Sequence, residues 1–118
     1  MEKDKKKVKA KILVNDYIVE NTGILVNDKL RVKDKDTIIL FDYANLTLTR
    51  EDKEKKLILD FKNELLTYSL KGLSNKFYNN FTILSLTNQD KQVMINYQIE
   101  ENKFSLSINL ETIQTNDI

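Results

Sequence analysis

The chain has 118 residues, with 19 basic and 18 acidic side chains, a formal net charge of +1 and 41% hydrophobic residues. A single domain of this length buries roughly 65% of the surface its unfolded form exposes, and a near-neutral balance offers no strong field to nucleic acid or a membrane surface. The absence of histidine and cysteine removes the usual general base near neutral pH, the thiolate nucleophile, any disulfide framework and the common zinc and haem ligands.

Residues 1–6 are almost wholly charged and are expected to form a disordered tail ahead of one domain spanning 1–118. Charge stands where a signal peptide needs its apolar segment, and no apolar run approaches the ~20 residues of a membrane-spanning helix, so the expected compartment is the cytoplasm. Val8, Ala10, Ile12 and Val14 then alternate with lysines, which predicts a first strand with a solvated lysine face. Asn15-Asp16 and Asn27-Asp28 are turn signals on either side of a strand from Tyr17 to Val26, in which Gly23 is expected to mark a bend or bulge.

Leu30 to Val32 predicts a short strand and Thr37 to Tyr43 a longer one, whose run Ile38-Ile39-Leu40-Phe41 is apolar on both faces and needs cover outside the main core. Leu46 and Leu48 alternate with threonines, the charged run Arg50 to Lys56 reads as a loop, and Leu57, Leu59 and Phe61 begin the next strand. Glu64 to Leu70 fits a strand, although Leu66, Leu70, Leu73 and Phe77 also fall at helical spacing after a potential Asn63 cap. Gly72 to Asn80 reads as a loop carrying Phe77 and Tyr78, and Phe81 to Leu86 as a strand.

Gln92 to Glu111 has the clearest pattern. Val93, Ile95, Tyr97 and Ile99 point one way and Phe104, Leu106, Ile108 and Leu110 return on the matching face, which is a β-hairpin. A loop over Glu100 to Lys103 would set Ile99 opposite Phe104 and Ile95 opposite Ile108. The expected fold class is therefore all-β, with eight to ten short antiparallel strands closing into a barrel or folding as a sandwich. With only two glycines and no proline, the turns fall to Asn and Asp, which tolerate left-handed backbone.

The order of these segments resembles the YwiB-like family of small bacterial calycin-like β-barrel proteins. The likeness is carried by Lys76-Phe77-Tyr78-Asn79-Asn80, the strand from Phe81, Val93-Met94-Ile95-Asn96-Tyr97-Gln98-Ile99 and the closing Phe104 to Leu110. The resemblance implies a lipocalin-like, up-and-down barrel with no established activity and no catalytic residues to transfer.

Read for chemistry, the chain suggests no enzyme, no cofactor and no metal. Its serines lie on polar strand faces or in loops, its carboxylates adjoin lysines in turns, and Gly23 and Gly72 stand too far apart for a phosphate loop. What remains is the barrel interior, where Phe41, Tyr43, Phe61, Tyr68, Phe81, Tyr97 and Phe104 are expected to gather, either as packed core or as the lining of a site for a small apolar ligand. A second reading is a self-associating or scaffold module, such as a homodimer, that covers outer apolar side chains of Thr37 to Phe41 and of Leu57 to Leu59. A third, nucleic-acid binding through Lys5, Lys7, Lys9 and Lys11 with Tyr17 or Tyr43 as stacking surface, is disfavoured by the charge balance.

Overall fold

The computed structural model describes residues 5–113 and is all-β, with no helix among them. Eleven strands form one antiparallel sheet that curls into a nearly closed barrel: β1 (Lys5–Val14), β2 (Tyr17–Val26), β3 (Lys29–Asp34), β4 (Thr37–Asp42), β5 (Thr47–Glu51), β6 (Lys55–Asp60), β7 (Leu65–Leu70), β8 (Lys76–Asn80), β9 (Thr82–Gln89), β10 (Gln92–Ile99) and β11 (Asn102–Thr112). Sequential strands pair throughout, except that β8 and β9 stand at the two ends of the sheet and β1 pairs with β11. The strand count thus exceeds the expected eight to ten by one. The addition is β8, expected as loop because every one of its side chains is exposed and no alternation marks it.

The barrel comes round on itself at Phe81. All ten pairings are antiparallel, so β8 and β9 run in the same direction with one residue between them. One bent segment thereby serves as the last strand on one side, against β7, and the first on the other, against β10. Glu64 stitches this corner: its carbonyl accepts the Phe81 N–H at 3.1 Å and its carboxylate accepts the Ile83 N–H at 2.8 Å. These bonds satisfy donors that an open sheet edge would leave to solvent.

The turns follow from residue chemistry. Two-residue connections at Asn15-Asp16, Asn27-Asp28, Lys35-Asp36, Asp90-Lys91 and Glu100-Glu101 all begin with a left-handed residue, φ between 53° and 57°, the geometry that matches strand twist in tight hairpins. Two longer turns repeat one motif. In Asp42-Tyr43-Ala44-Asn45 and Asp60-Phe61-Lys62-Asn63 the aspartate accepts two backbone N–H groups and the asparagine side-chain amide, and an aromatic is turned into the core. Asn63 therefore bonds within its turn and caps no helix, and the next segment is the strand β7.

Three sequence expectations are corrected. The closing hairpin turns over two residues, which places Ile99 opposite Asn102, Tyr97 opposite Phe104, Ile95 opposite Leu106 and Val93 opposite Ile108. That is a shift of two residues from the expected register, and a shift of two leaves every side chain on its face. Gly23 pairs without register shift on both sides. A Cβ there would lie 2.9 Å from Val32 Cγ2 and 3.1 Å from the Arg31 carbonyl, so close approach of β3 is what requires glycine, while the sheet's irregularity falls at Asn96/Tyr97 opposite β9. Arg50 to Lys56 is mostly strand, since β5 continues to Glu51, β6 starts at Lys55, and only Asp52 to Glu54 connect them. At the amino terminus β1 starts at Lys5, paired with Val26, and the rest of the expected tail, residues 1–4, lies outside the described residues.

The core is the barrel interior. Val8, Ala10, Ile12, Val19, Leu30, Val32, Ile39, Leu48, Leu59, Val93, Ile95, Leu106 and Ile108 are buried, and among the described residues no charged or polar residue is buried with them. Outward, Leu40 is exposed and Ile38 half-buried, as the apolar run in β4 led one to expect.

Candidate functional site

The aromatic residues expected in the interior separate into three groups. Phe41, Tyr43, Phe61 and Phe81 are buried core, with Phe41 edge-on to Tyr43 at 4.8 Å and Phe61 edge-on to Phe81 at 5.6 Å and to Tyr97 at 5.5 Å. They fill the end of the barrel that carries the 27–28, 43–46, 61–64 and 90–91 turns. There the Tyr43 hydroxyl donates to the Lys91 carbonyl at 3.0 Å, while Lys91 Nζ pairs with Asp28 at 2.9 Å and lies over the Tyr43 ring. Tyr68 is half-buried on β7 and tilts against Phe77 of β8.

Tyr97 and Phe104 behave differently. Their rings stack at 5.5 Å with an interplanar angle of 18°, and beside them the interior opens into a recess of about 260 Å³. Ile12 and Val14 of β1, Ile39 of β4, Leu48 of β5, Leu57 and Leu59 of β6, Leu66 of β7 and Ile99 of β10 complete an apolar wall. Asn15, Tyr17 and Arg50 are its polar members. The recess lies at the opposite end from the aromatic plug, beneath the 15–16 and 100–101 turns, and reaches the surface where Tyr17 is 37% exposed. Asn15 ties that rim together: its side-chain oxygen accepts the Ser105 N–H at 2.8 Å and its N–H donates to the Ser105 carbonyl at 3.0 Å.

Arg50 is the unexpected component. Leu48 is buried on β5, and period-two alternation turns Arg50 inward with it, between Ile39 and Leu57 of the neighbouring strands. Its guanidinium carbon sits 4.8 Å from the centre of the Tyr17 ring, a cation–π contact, and Tyr17 donates its hydroxyl to Asp34 Oδ2 at 2.9 Å. That bond to the Asp34 carboxylate, with burial, holds the Tyr17 phenol above its ordinary value. Arg50 Nε is buried and has no hydrogen-bond partner among the described residues. A buried donor left unpaired costs about 1–3 kcal/mol, more when it is charged.

Two of the other hollows, both on the outside of the barrel, carry carboxylates. The larger, about 480 Å³, runs beside the Asp42 and Asp60 turns, where the asparagine amides and backbone N–H groups hold both carboxyls below their usual range and occupy their oxygens. The other lies over Lys9, Lys11, Glu20 and Glu111 on the solvated face of β1, β2 and β11. Among the described residues no three acidic side chains gather to hold a metal ion.

Burial pushes the Tyr97 phenol up to about 12 and the Tyr43 phenol up as well. In an unfolded chain both ionise near 10. Because the folded value is the higher, the stabilising contribution of Tyr97 is complete below pH ~10 and is lost as pH rises towards about 12, on the order of 3 kcal/mol over that window. Tyr97→Phe is expected to flatten the fall in urea-unfolding stability between those limits, after lysine titration common to both proteins is subtracted. Equal slopes would contradict burial of the hydroxyl.

No protein-family model, curated protein or solved structure matches this chain.

Proposed function

We propose that this barrel is a non-enzymatic binding protein that takes a small apolar or amphipathic molecule into the recess beside Tyr97 and Phe104. The observation that carries the reading is a recess of about 260 Å³ whose wall is apolar but for Asn15, Tyr17 and Arg50. Concave, mostly apolar sites with a few convergent polar groups are the usual form of small-molecule sites, and this one is at the small end of their ~300–1,000 Å³ range. The likeness of residues 57–111 to the YwiB-like barrels belongs to the same proposal.

The test fills the space. Leu57→Trp projects a larger side chain into the recess, and it is expected to weaken binding of an environment-sensitive apolar dye about tenfold or more while the protein keeps its β-sheet circular dichroism. Native mass spectrometry of protein purified from its source supplies the second arm, with a co-purifying mass lost in the variant. Unchanged dye affinity in folded Leu57→Trp, with no co-purifying mass, sinks the proposal.

A second reading, self-association, is favoured by one observation. Phe77 and Tyr78 of β8, an end strand of the sheet, are 55% and 64% exposed. Exposed apolar side chains on a strand with unpaired backbone are the usual start of sheet-to-sheet pairing. A constant molar mass by light scattering across micromolar concentrations would remove it.

A further inference from the structure

Resting on the ligand-binding reading above, we infer that the molecule taken into the recess is a singly charged acidic amphiphile, a monocarboxylate whose head group pairs with Arg50 and whose hydrocarbon tail lies along the apolar wall. Arg50 is paired across the sheet with Ile39 and Leu57 on the inward face, and its guanidinium reaches the Tyr17 ring, so a positive charge stands in the wall of the recess. The carboxylates near it have other partners: Asp34 accepts from Tyr17, Asp52 accepts the Glu54 and Lys55 N–H groups, and Glu51 pairs with Lys71 at 3.0 Å. Arg50 lines the recess, and a guanidinium offers the paired N–H donors that a planar carboxylate accepts.

The count of charges selects the head group. Among the described residues Arg50 is the one cationic side chain lining the recess, so a carboxylate is neutralised there, whereas a phosphate monoester would bring close to two negative charges. Volume selects the tail. About 260 Å³ is the liquid volume of roughly nine waters, which suits an acid of about eight to ten non-hydrogen atoms.

The experiment titrates the protein with octanoate and with 1-octanol, both below micelle formation, at pH 7.5, by calorimetry. Wild-type protein is expected to bind octanoate about tenfold or more tighter than octanol, the discrimination of one charge-assisted hydrogen-bonded pair. In Arg50→Met the preference should vanish while octanol affinity is kept. Arg50→Lys should restore part of it, because an ammonium supplies the charge without the fork. Equal affinities in the wild type, or a preference that survives in folded Arg50→Met, overturn the acidic head group and leave the recess as a neutral site. Binding of neither compound overturns the head group and the recess together. Should Arg50→Met not fold, the wild-type ratio and Arg50→Lys still decide.

Discussion

Ile95→Asp is expected to leave no cooperative unfolding transition, whereas Asn96→Asp, one residue along, should melt within a degree or two of the wild type. Ile95 is fully buried on β10, opposite Leu106 of β11 and Leu86 of β9. A carboxylate there would meet only apolar neighbours, and leaving it ionised or forcing its protonation costs several kcal/mol out of a total of about 5–15. Asn96 faces the other way and its amide donates to Ser85 Oγ at 2.8 Å. An aspartate can accept from that same hydroxyl, so the loss should stay near ~0.5 kcal/mol. Thermal melts by circular dichroism compare the two. Equal losses would mean that the faces of β10 are misassigned, and Tyr97 and the recess with them.

That contrast is legible in the sequence because period two sets the face of a residue whatever its partners are. The same reasoning explains the register. Apolar residues at every second position look identical after a slip of two, so alternation cannot choose between Ile108 and Leu106 as the neighbour of Ile95, and the choice is made by a turn of two residues with Glu100 left-handed. Arg50 is concealed for a different reason. It opens a run of charged residues that reads as a loop, yet counting by twos from Leu46 and Leu48 already turns it inward. A cation in phase with a leucine stripe is a signal that the amino-acid pattern itself carries. β8 has none, since an edge segment exposed at every position carries no alternation, and closure of the barrel at Phe81 depends on hydrogen bonds accepted by Glu64, which lies 17 residues away from it. The repeated aspartate-aromatic-x-asparagine turns are open to reading, and they are what seat Tyr43 and Phe61 in the plug.

The plug is the second place where one side chain should decide the fold. Phe61→Ala is expected to cost about 3–5 kcal/mol, the range for emptying a buried aromatic site that cannot collapse. Collapse is hindered here because the ring is held on three sides: Phe81 and Tyr97 meet it edge-on, and its own N–H donates to the Leu46 carbonyl at 2.9 Å, which anchors the Asp60 turn beneath it. Phe77→Ala supplies the control, since a ring 55% exposed on the edge strand should give up less than ~1 kcal/mol. The rings also predict coupling. Phe81 and Tyr97 touch each other at 5.4 Å as well as Phe61, so in urea titrations the double variant Phe61→Ala/Tyr97→Ala should lose less than the two single losses added. Strict additivity would show that the three rings act independently. The end of the barrel opposite the recess would then lack the rigid floor that keeps the Tyr97 and Phe104 wall standing when the recess is empty.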